Sequence, residues 1–234
     1  MPSLLRKHIS GLSALFFPVV CKGCGETLSH SQNVLCRACE SELPRTRYEK
    51  MPVNPVVQMF WGRARLEYAS ALFYYRKGER LQNLIHQLKY KGAKEIGTYL
   101  GQLGGKILNE AEIPISPDAI VPVPLHPRKQ AIRGYNQTSL IAEGMHSVSG
   151  IPVMHDAVIR TKHSGSQTRR GRYERWENVE GIFKVLFPEL LRNKHLLILD
   201  DVVTTGATLE ALCHALDEIP DIKRSVLTIG CAAG

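Results

Sequence analysis

Leu5, Ile9, Leu12 and Phe16 recur at spacings of four, three and four residues, so the first apolar positions share one face of a short amphipathic helix. The longest apolar stretch, ISGLSALFFPVV, is about half of the roughly 20 residues needed to cross a bilayer, and no membrane span is expected. Arg6, Lys7 and His8 before it and Cys21 after it raise a secretion or lipoprotein signal as a rival reading, yet Pro18-Val19-Val20 lacks the small residues of a cleavage site. Alternation in YASALFYY predicts a strand or hairpin arm from Tyr68 to Tyr75, closed by Lys77-Gly78. The period then changes. Leu81, Leu84, Ile85 and Leu88 fit one helix face, and Ile96, Leu100, Leu103 and Ile107 fit another, with Gly92 between them. AIVPVP, a polar turn, and a helix from about Gln137 to Met145 come next, then short apolar runs at VIR, GIFKV and HLLILD. ATLEALCHAL reads as helix and SVLTIGCA as a final strand. Strands alternating with helices predict an α/β fold whose mainly parallel sheet is covered on both faces. No internal repeat appears.

Composition adds a direction to this pattern. With 44% hydrophobic and 22% charged residues, the chain has the usage of a folded protein with a real core. Its 234 residues suit one α/β domain plus a smaller module. The boundaries read as a module over 1–45, a linker over 46–65 containing Pro52 and Pro55, and the larger domain over 66–234. Thirty Lys and Arg against 22 Asp and Glu leave +8, which favours an anionic partner such as a nucleotide, phosphate or nucleic acid.

Four of the six cysteines lie in CKGC and CRAC, as Cys21, Cys24, Cys36 and Cys39. Two segments that each bring two thiolates to one point suit a tetrahedral zinc ion, and four Cys ligands make a closed, structural site. Paired disulfides in a secreted chain are the rival, set against the lack of a convincing signal peptide and the apolar surroundings of Cys213 and Cys231.

The run LLILDDVVTTGATLEAL passes from a buried strand through two carboxylates into a small-residue loop and a helix. Thr204, Thr205, Gly206, Ala207 and Thr208 would offer N–H groups and hydroxyls at a helix N-terminus, where an anion is favoured. Asp200 and Asp201 end the strand beside the loop, and such acids need a partner other than phosphate: ribose hydroxyls or magnesium. A capped strand-to-helix turn with no ligand is the plain alternative.

LILDDVVTTGAT resembles the phosphoribosyl-pyrophosphate motif of type I phosphoribosyltransferases. With its two CxxC pairs, LKYKG at Leu88 to Gly92, VPVPLHPRK at Val121 to Lys129, RGYNQ at Arg133 to Gln137, and SQT followed by ERWENV, the chain is similar to the ComF family of competence-associated, phosphoribosyltransferase-like proteins. The resemblance implies a type I phosphoribosyltransferase-like α/β fold behind a zinc-binding module. It implies that Thr204 to Thr208 hold the 5′-phosphate of phosphoribosyl pyrophosphate, with magnesium, and that Asp200 and Asp201 bond the ribose hydroxyls. Pro124, Leu125 and His126 match the pyrophosphate loop, with Arg128 and Lys129 as neighbouring cations or as a solvated turn. Asn136 is either a helix cap or a substrate contact.

From Arg160 to Arg175, six cations stand against Glu174 alone, a local net charge of +5. In related transferases a mobile loop closes over pyrophosphate, and Arg169, Arg170 and Arg172 are the candidates for that catalytic work here. The same stretch reads also as a solvated loop, or as a nucleic-acid stripe with Tyr173 and Trp176 as stacking surfaces. Many relatives have an apolar residue where this chain has Arg169 and Arg170, so closure could differ. Thr204 stands where some purine-specific members carry an acid, which argues against a hypoxanthine-type acceptor. No general base is visible, and the length leaves no room for a glutaminase half. Two function classes follow: a phosphoribosyltransferase with an unnamed acceptor, or a non-catalytic nucleotide sensor or adaptor. The resemblance implies a cytoplasmic setting, in uptake of single-stranded DNA with a helicase-like competence partner.

Overall fold

A computed structural model describes residues 18–29, 32–112, 115–161 and 182–232. The amphipathic helix expected over Leu5 to Phe16 lies outside these residues, as do Arg169, Arg170, Arg172, Tyr173 and Trp176. Four strands build one sheet: β1 (Tyr68–Tyr75), β2 (Ala119–Pro122), β5 (His195–Val203) and β6 (Lys223–Ala232). They run in the order β1-β6-β5-β2 and every neighbouring pair is parallel. Ile120 also bridges Val153 in parallel on the far side of β2. The other two strands, β3 (Val158–Arg160) and β4 (Phe183–Val185), pair only with each other, antiparallel, so VIR and GIFKV are not part of the main sheet.

Both sheet faces are buried, as a parallel sheet requires. Leu197, Leu199, Leu227 and Ile229 face one core, and Leu196, Ile198 and Val226 face the other. The first core is roofed by α3 (Arg80–Tyr90), α4 (Lys94–Asn109) and α6 (Gln137–Ser149). Helix α3 buries Leu81, Leu84, Ile85 and Leu88, the face its periodicity predicts. Helix α4 buries Ile96, Leu100 and Ile107, but its buried face is also made of Gly97, Gly101, Gly104 and Gly105. These glycines let α4 lie against α6 backbone to backbone: a Cβ on Gly101 would stand 2.0 Å from the Ile141 carbonyl oxygen, and one on Gly144 would stand 2.1 Å from that of Thr98. The second core is completed by α7 (Ala207–Ala215), through Leu209 and Leu212.

The stretch 46–65 does more than span a gap. It holds a 3-10 turn at Tyr48–Lys50 and α2 (Pro55–Met59), and Asn54, Val56 and Phe60 are buried. Asn54 caps α2 through the N–H groups of Val56 and Val57 and donates to the Ala69 carbonyl in β1. The cysteine segment, with α1 (Arg37–Ser41), packs on the first core: Cys21, Leu28, Val34, Leu35, Cys39 and Leu43 join the cluster that contains Leu81 and Leu84. No helix among the described residues is long and apolar enough to cross a membrane.

Candidate functional site

Asp200 and Asp201 sit inside β5, which continues to Val203 because Val202 and Val203 still pair with Gly230 and Cys231 of β6. The chain then turns through Thr204 and Thr205, both exposed, and enters α7 at Ala207. Gly206 makes the turn at φ 76, a left-handed conformation that other residues resist. It is buried under Met59 and Phe60, so α2 forms the floor of this loop. Arg63, just beyond α2, donates to the carbonyl of Thr205 at 2.9 Å and pairs with Glu210 at 2.5 Å. The loop therefore reaches a helix N-terminus while held from below, a setting that favours an anion.

The neighbouring strand ends at the same edge. The N–H of Val123, just after β2, donates to the Leu199 carbonyl at 2.9 Å, so Pro124, Leu125 and His126 emerge beside Asp200. What reads as a polar turn from sequence is a short helix, α5 (Pro127–Arg133): Pro127 occupies its first turn and His126 caps it by accepting from the Arg128 N–H. Arg128 and Lys129 are exposed on that first turn. Asn136 is a cap: its side chain accepts from the Thr138 N–H at 3.2 Å and donates to the Val123 carbonyl at 3.1 Å. Of the basic stretch from Arg160 onward, the structure describes Arg160 and Thr161.

The two acids differ. Asp201 is buried, and its carboxylate accepts from Lys89 Nζ at 2.8 and 2.9 Å and from Gln137 Nε2 at 2.8 Å. Lys89 ends α3 and Gln137 begins α6, and the Tyr135 hydroxyl donates to the Leu88 carbonyl, so LKYKG and RGYNQ meet on one carboxylate. Neither Lys89 nor Gln137 stands out in its motif by sequence, because the carboxylate they share lies 112 and 64 residues away along the chain. Asp200 accepts from the Asp201 N–H at 2.8 Å, and no cation lies within ion-pair distance of it among the described residues. Burial, then the charge on Asp201, push the Asp200 carboxyl up to about 8, against the opposing pull of Lys89 and Arg160.

That displacement carries a stability prediction. Between the ordinary value of 3.8 and about 8, the folded chain holds a proton on Asp200 that the unfolded chain has released. Stability from this group is therefore greatest at low pH and falls as pH rises through about 8. Asp200→Asn should melt several degrees higher than the native protein at about pH 9, and the gap should close toward about pH 5. Melting curves across that range test it; a gap independent of pH would overturn it.

The sulfur atoms of Cys21, Cys24, Cys36 and Cys39 lie within 4.8 Å of one another. Cys24 and Cys36 are 3.8 Å apart, the edge of a tetrahedron whose centre lies about 2.3 Å from each sulfur, so the four thiols could hold a zinc ion. Burial opposes ionisation of Cys21, yet the N–H groups of Cys36, Cys24 and Gly23 outweigh it and bring the thiol down to about 6. Burial and crowding by the other sulfurs push Cys39 far up. Arg80, at the start of α3, donates to Cys39 Sγ and to the Glu42 carboxylate. Gln87 donates to the Lys22 carbonyl at 2.9 Å and Lys22 pairs with Glu95 at 2.9 Å, so the cysteine module is seated on α3 and α4. A separate cleft of about 860 Å³ between β4 and α7 shares no residue with the carboxylate edge or the thiols.

No protein-family model matches the chain. Among curated proteins it is 32% identical over 139 residues to the DNA utilization protein YhgH of Escherichia coli, covering 58% of this chain and 60% of that protein. It is 30% identical over 149 residues to Competence protein F of Haemophilus influenzae, covering 60% and 63%. The chain is a relative of these competence and DNA-utilization proteins. It spans about 60% of the length of the curated relatives it matches first. Solved structures with some likeness include one titled as the allosteric regulatory enzyme of purine biosynthesis, at TM-score 0.42 and 15% identity over 60% of this chain and 29% of that one. Another is a purine phosphoribosyltransferase of Pyrococcus horikoshii, at TM-score 0.36 and 15% identity over 57% and 80%. The expected class, a parallel sheet flanked by helices with a four-cysteine cluster in front, is what the fold itself displays.

Proposed function

We propose that this protein binds phosphoribosyl pyrophosphate, with magnesium, at the carboxyl edge of its sheet, and that it serves competence and the handling of incoming DNA. The observation that carries the reading is the meeting of two loops at that edge. One is an anion-favouring turn, Thr204 to Thr208, and the other is Pro124 to His126, with Asp200 between them unpaired by any described cation. In this reading the turn holds the 5′-phosphate and Asp200 accepts from ribose hydroxyls. Arg128 and Lys129 then neutralise pyrophosphate, joined by Arg169, Arg170 and Arg172. Magnesium, when bound with the ligand, supplies further charge neutralisation on the phosphates. The four cysteines hold zinc as a structural ion. The DNA setting is supported by the names of the relatives.

Calorimetric titration of phosphoribosyl pyrophosphate, with and without magnesium, tests the reading. Binding by the native protein that Asp200→Asn weakens by about a hundredfold or more is the expected result. A folded, zinc-loaded protein that does not bind would sink it.

A second reading, a single-stranded-DNA adaptor on the same scaffold, has its own observation. Tyr90 is 70% exposed with the Arg133 guanidinium 5.6 Å from its ring centre, and Arg128 and Lys129 are exposed on the same helix as Arg133. An exposed ring among cations suits base stacking on a charged strand. This reading requires single-stranded DNA binding that weakens steeply with salt and with Tyr90→Ala.

A further inference from the structure

We infer that the two adjacent acids do different jobs: Asp201 is a fixed internal anchor bound by Lys89 and Gln137, and Asp200 is the main acceptor for the ribose of a bound ligand. The inference rests on the proposed site and narrows the expectation that both acids bond ribose hydroxyls. Asp201 is 4% exposed, and its two oxygens accept three contacts, two from Lys89 and one from Gln137. A carboxylate offers about four lone-pair positions, so at most one is left on Asp201, and a ribose diol could bring both hydroxyls to Asp201 only by displacing one of these partners. Displacement would leave either the half-buried ammonium of Lys89 or the buried amide of Gln137 without its acceptor, a loss that a neutral hydroxyl does not make good. Asp200 is less buried and is engaged by a single N–H.

Lys89 and Gln137 are thus positioning residues. Lys89 pairs with the acid next to Asp200 and offsets part of the repulsion that Asp201 places on Asp200. Gln137 fixes the rotamer of Asp201, and Gln137 is itself held by Arg133. Because the two partners come from α3 and α6, the anchor also ties both helices to β5 just below the phosphate turn.

Two measurements on the full chain decide the matter. The first is thermal unfolding without ligand. Lys89→Met and Asp201→Asn should each lower the melting temperature by several degrees, and the double variant should melt no lower than the worse single, because both remove one pair. Additive losses, or an Asp201→Asn protein as stable as the native one, would overturn the inference whether or not any ligand binds. The second compares ribose 5-phosphate with inorganic phosphate. Lys89→Met should weaken ribose 5-phosphate about tenfold or more and inorganic phosphate by less than about twofold, with Lys89→Arg recovering most of the loss. Equal weakening of both probes would mean general damage and overturn the positioning role. Should the native protein bind neither probe, the ribose-site reading falls on its own while the unfolding cycle still tests the Asp201 anchor. Should it bind ribose 5-phosphate with Asp201→Asn losing as much as Asp200→Asn and no stability, the division of labour falls while the site stands.

Discussion

Gly101→Ala should destabilise this protein by about 3 kcal/mol or more, although alanine is the better helix former by about 1 kcal/mol. The sign is reversed by what lies opposite. The new methyl would stand 2.0 Å from the Ile141 oxygen and 2.8 Å from the Met145 nitrogen, both backbone atoms of α6 that cannot rotate away. Relief requires α4 and α6 to separate, and that opens the core around Leu100, Ile141 and Met145. Gly144→Ala should behave alike, since its methyl would meet the Thr98 oxygen at 2.1 Å from the other side. Gly104→Ala is the control. Its methyl would meet the ends of the Met145 and Leu72 side chains, at 2.9 and 3.0 Å, and flexible tips can give way, so it should cost clearly less. Urea unfolding of the three variants measures this; a Gly101→Ala loss below about 1 kcal/mol would show that the helices are free to move apart.

Losing a cysteine ligand should be as damaging. Cys21→Ser or Cys39→Ser should abolish the one zinc ion expected per chain and lower stability by several kcal/mol, because metal binding in such modules is folding energy. Cys21 and Cys39 are themselves 2% exposed and lie in the same cluster as Leu28, Val34, Leu35 and Leu43, so loosening the thiols also disturbs the packing of the module on the first core. Arg80 is the second casualty. Without the sulfur cluster, its guanidinium keeps only Glu42 as an anionic partner at the start of α3. Metal analysis of freshly purified protein and melting with and without a chelator give the readout. A zinc-free protein with native stability would remove the structural role.

These expectations differ in where they could be read. The cysteine spacing is legible because each CxxC pair is local, one in a turn and one at the start of α1, so only the meeting of the two had to be supplied by folding. The strand, loop and helix around Asp200 are legible for the same reason: the turn at Gly206 and the helix at Ala207 follow one another along the chain. Periodicity also located α3, whose buried residues repeat at helical spacing, while the apolar runs of β1 and β6 proved to be buried almost throughout. It located α4 as well, through Ile96, Leu100 and Ile107, but gave no weight to glycines whose value lies in a neighbour's approach. Over 46–65 the prolines suggest a linker, and periodicity marks no element there. There Pro55 starts a helix, and buried Asn54 and Phe60 fasten it under the turn at Gly206.

By itself, then, the sequence determined the order of the sheet strands and the longer helices, the four clustered thiols and the acid-rich turn, since each depends on residues adjacent or regularly spaced in the chain. Which acid is committed was decided by tertiary structure alone. Lys89 is 112 residues from Asp201 and Gln137 is 64, and only the parallel stacking of β1, β6, β5 and β2 with α3 and α6 above them brings those charges together. A buried carboxylate must find its partners wherever the fold provides them, and no spacing along the chain announces that choice.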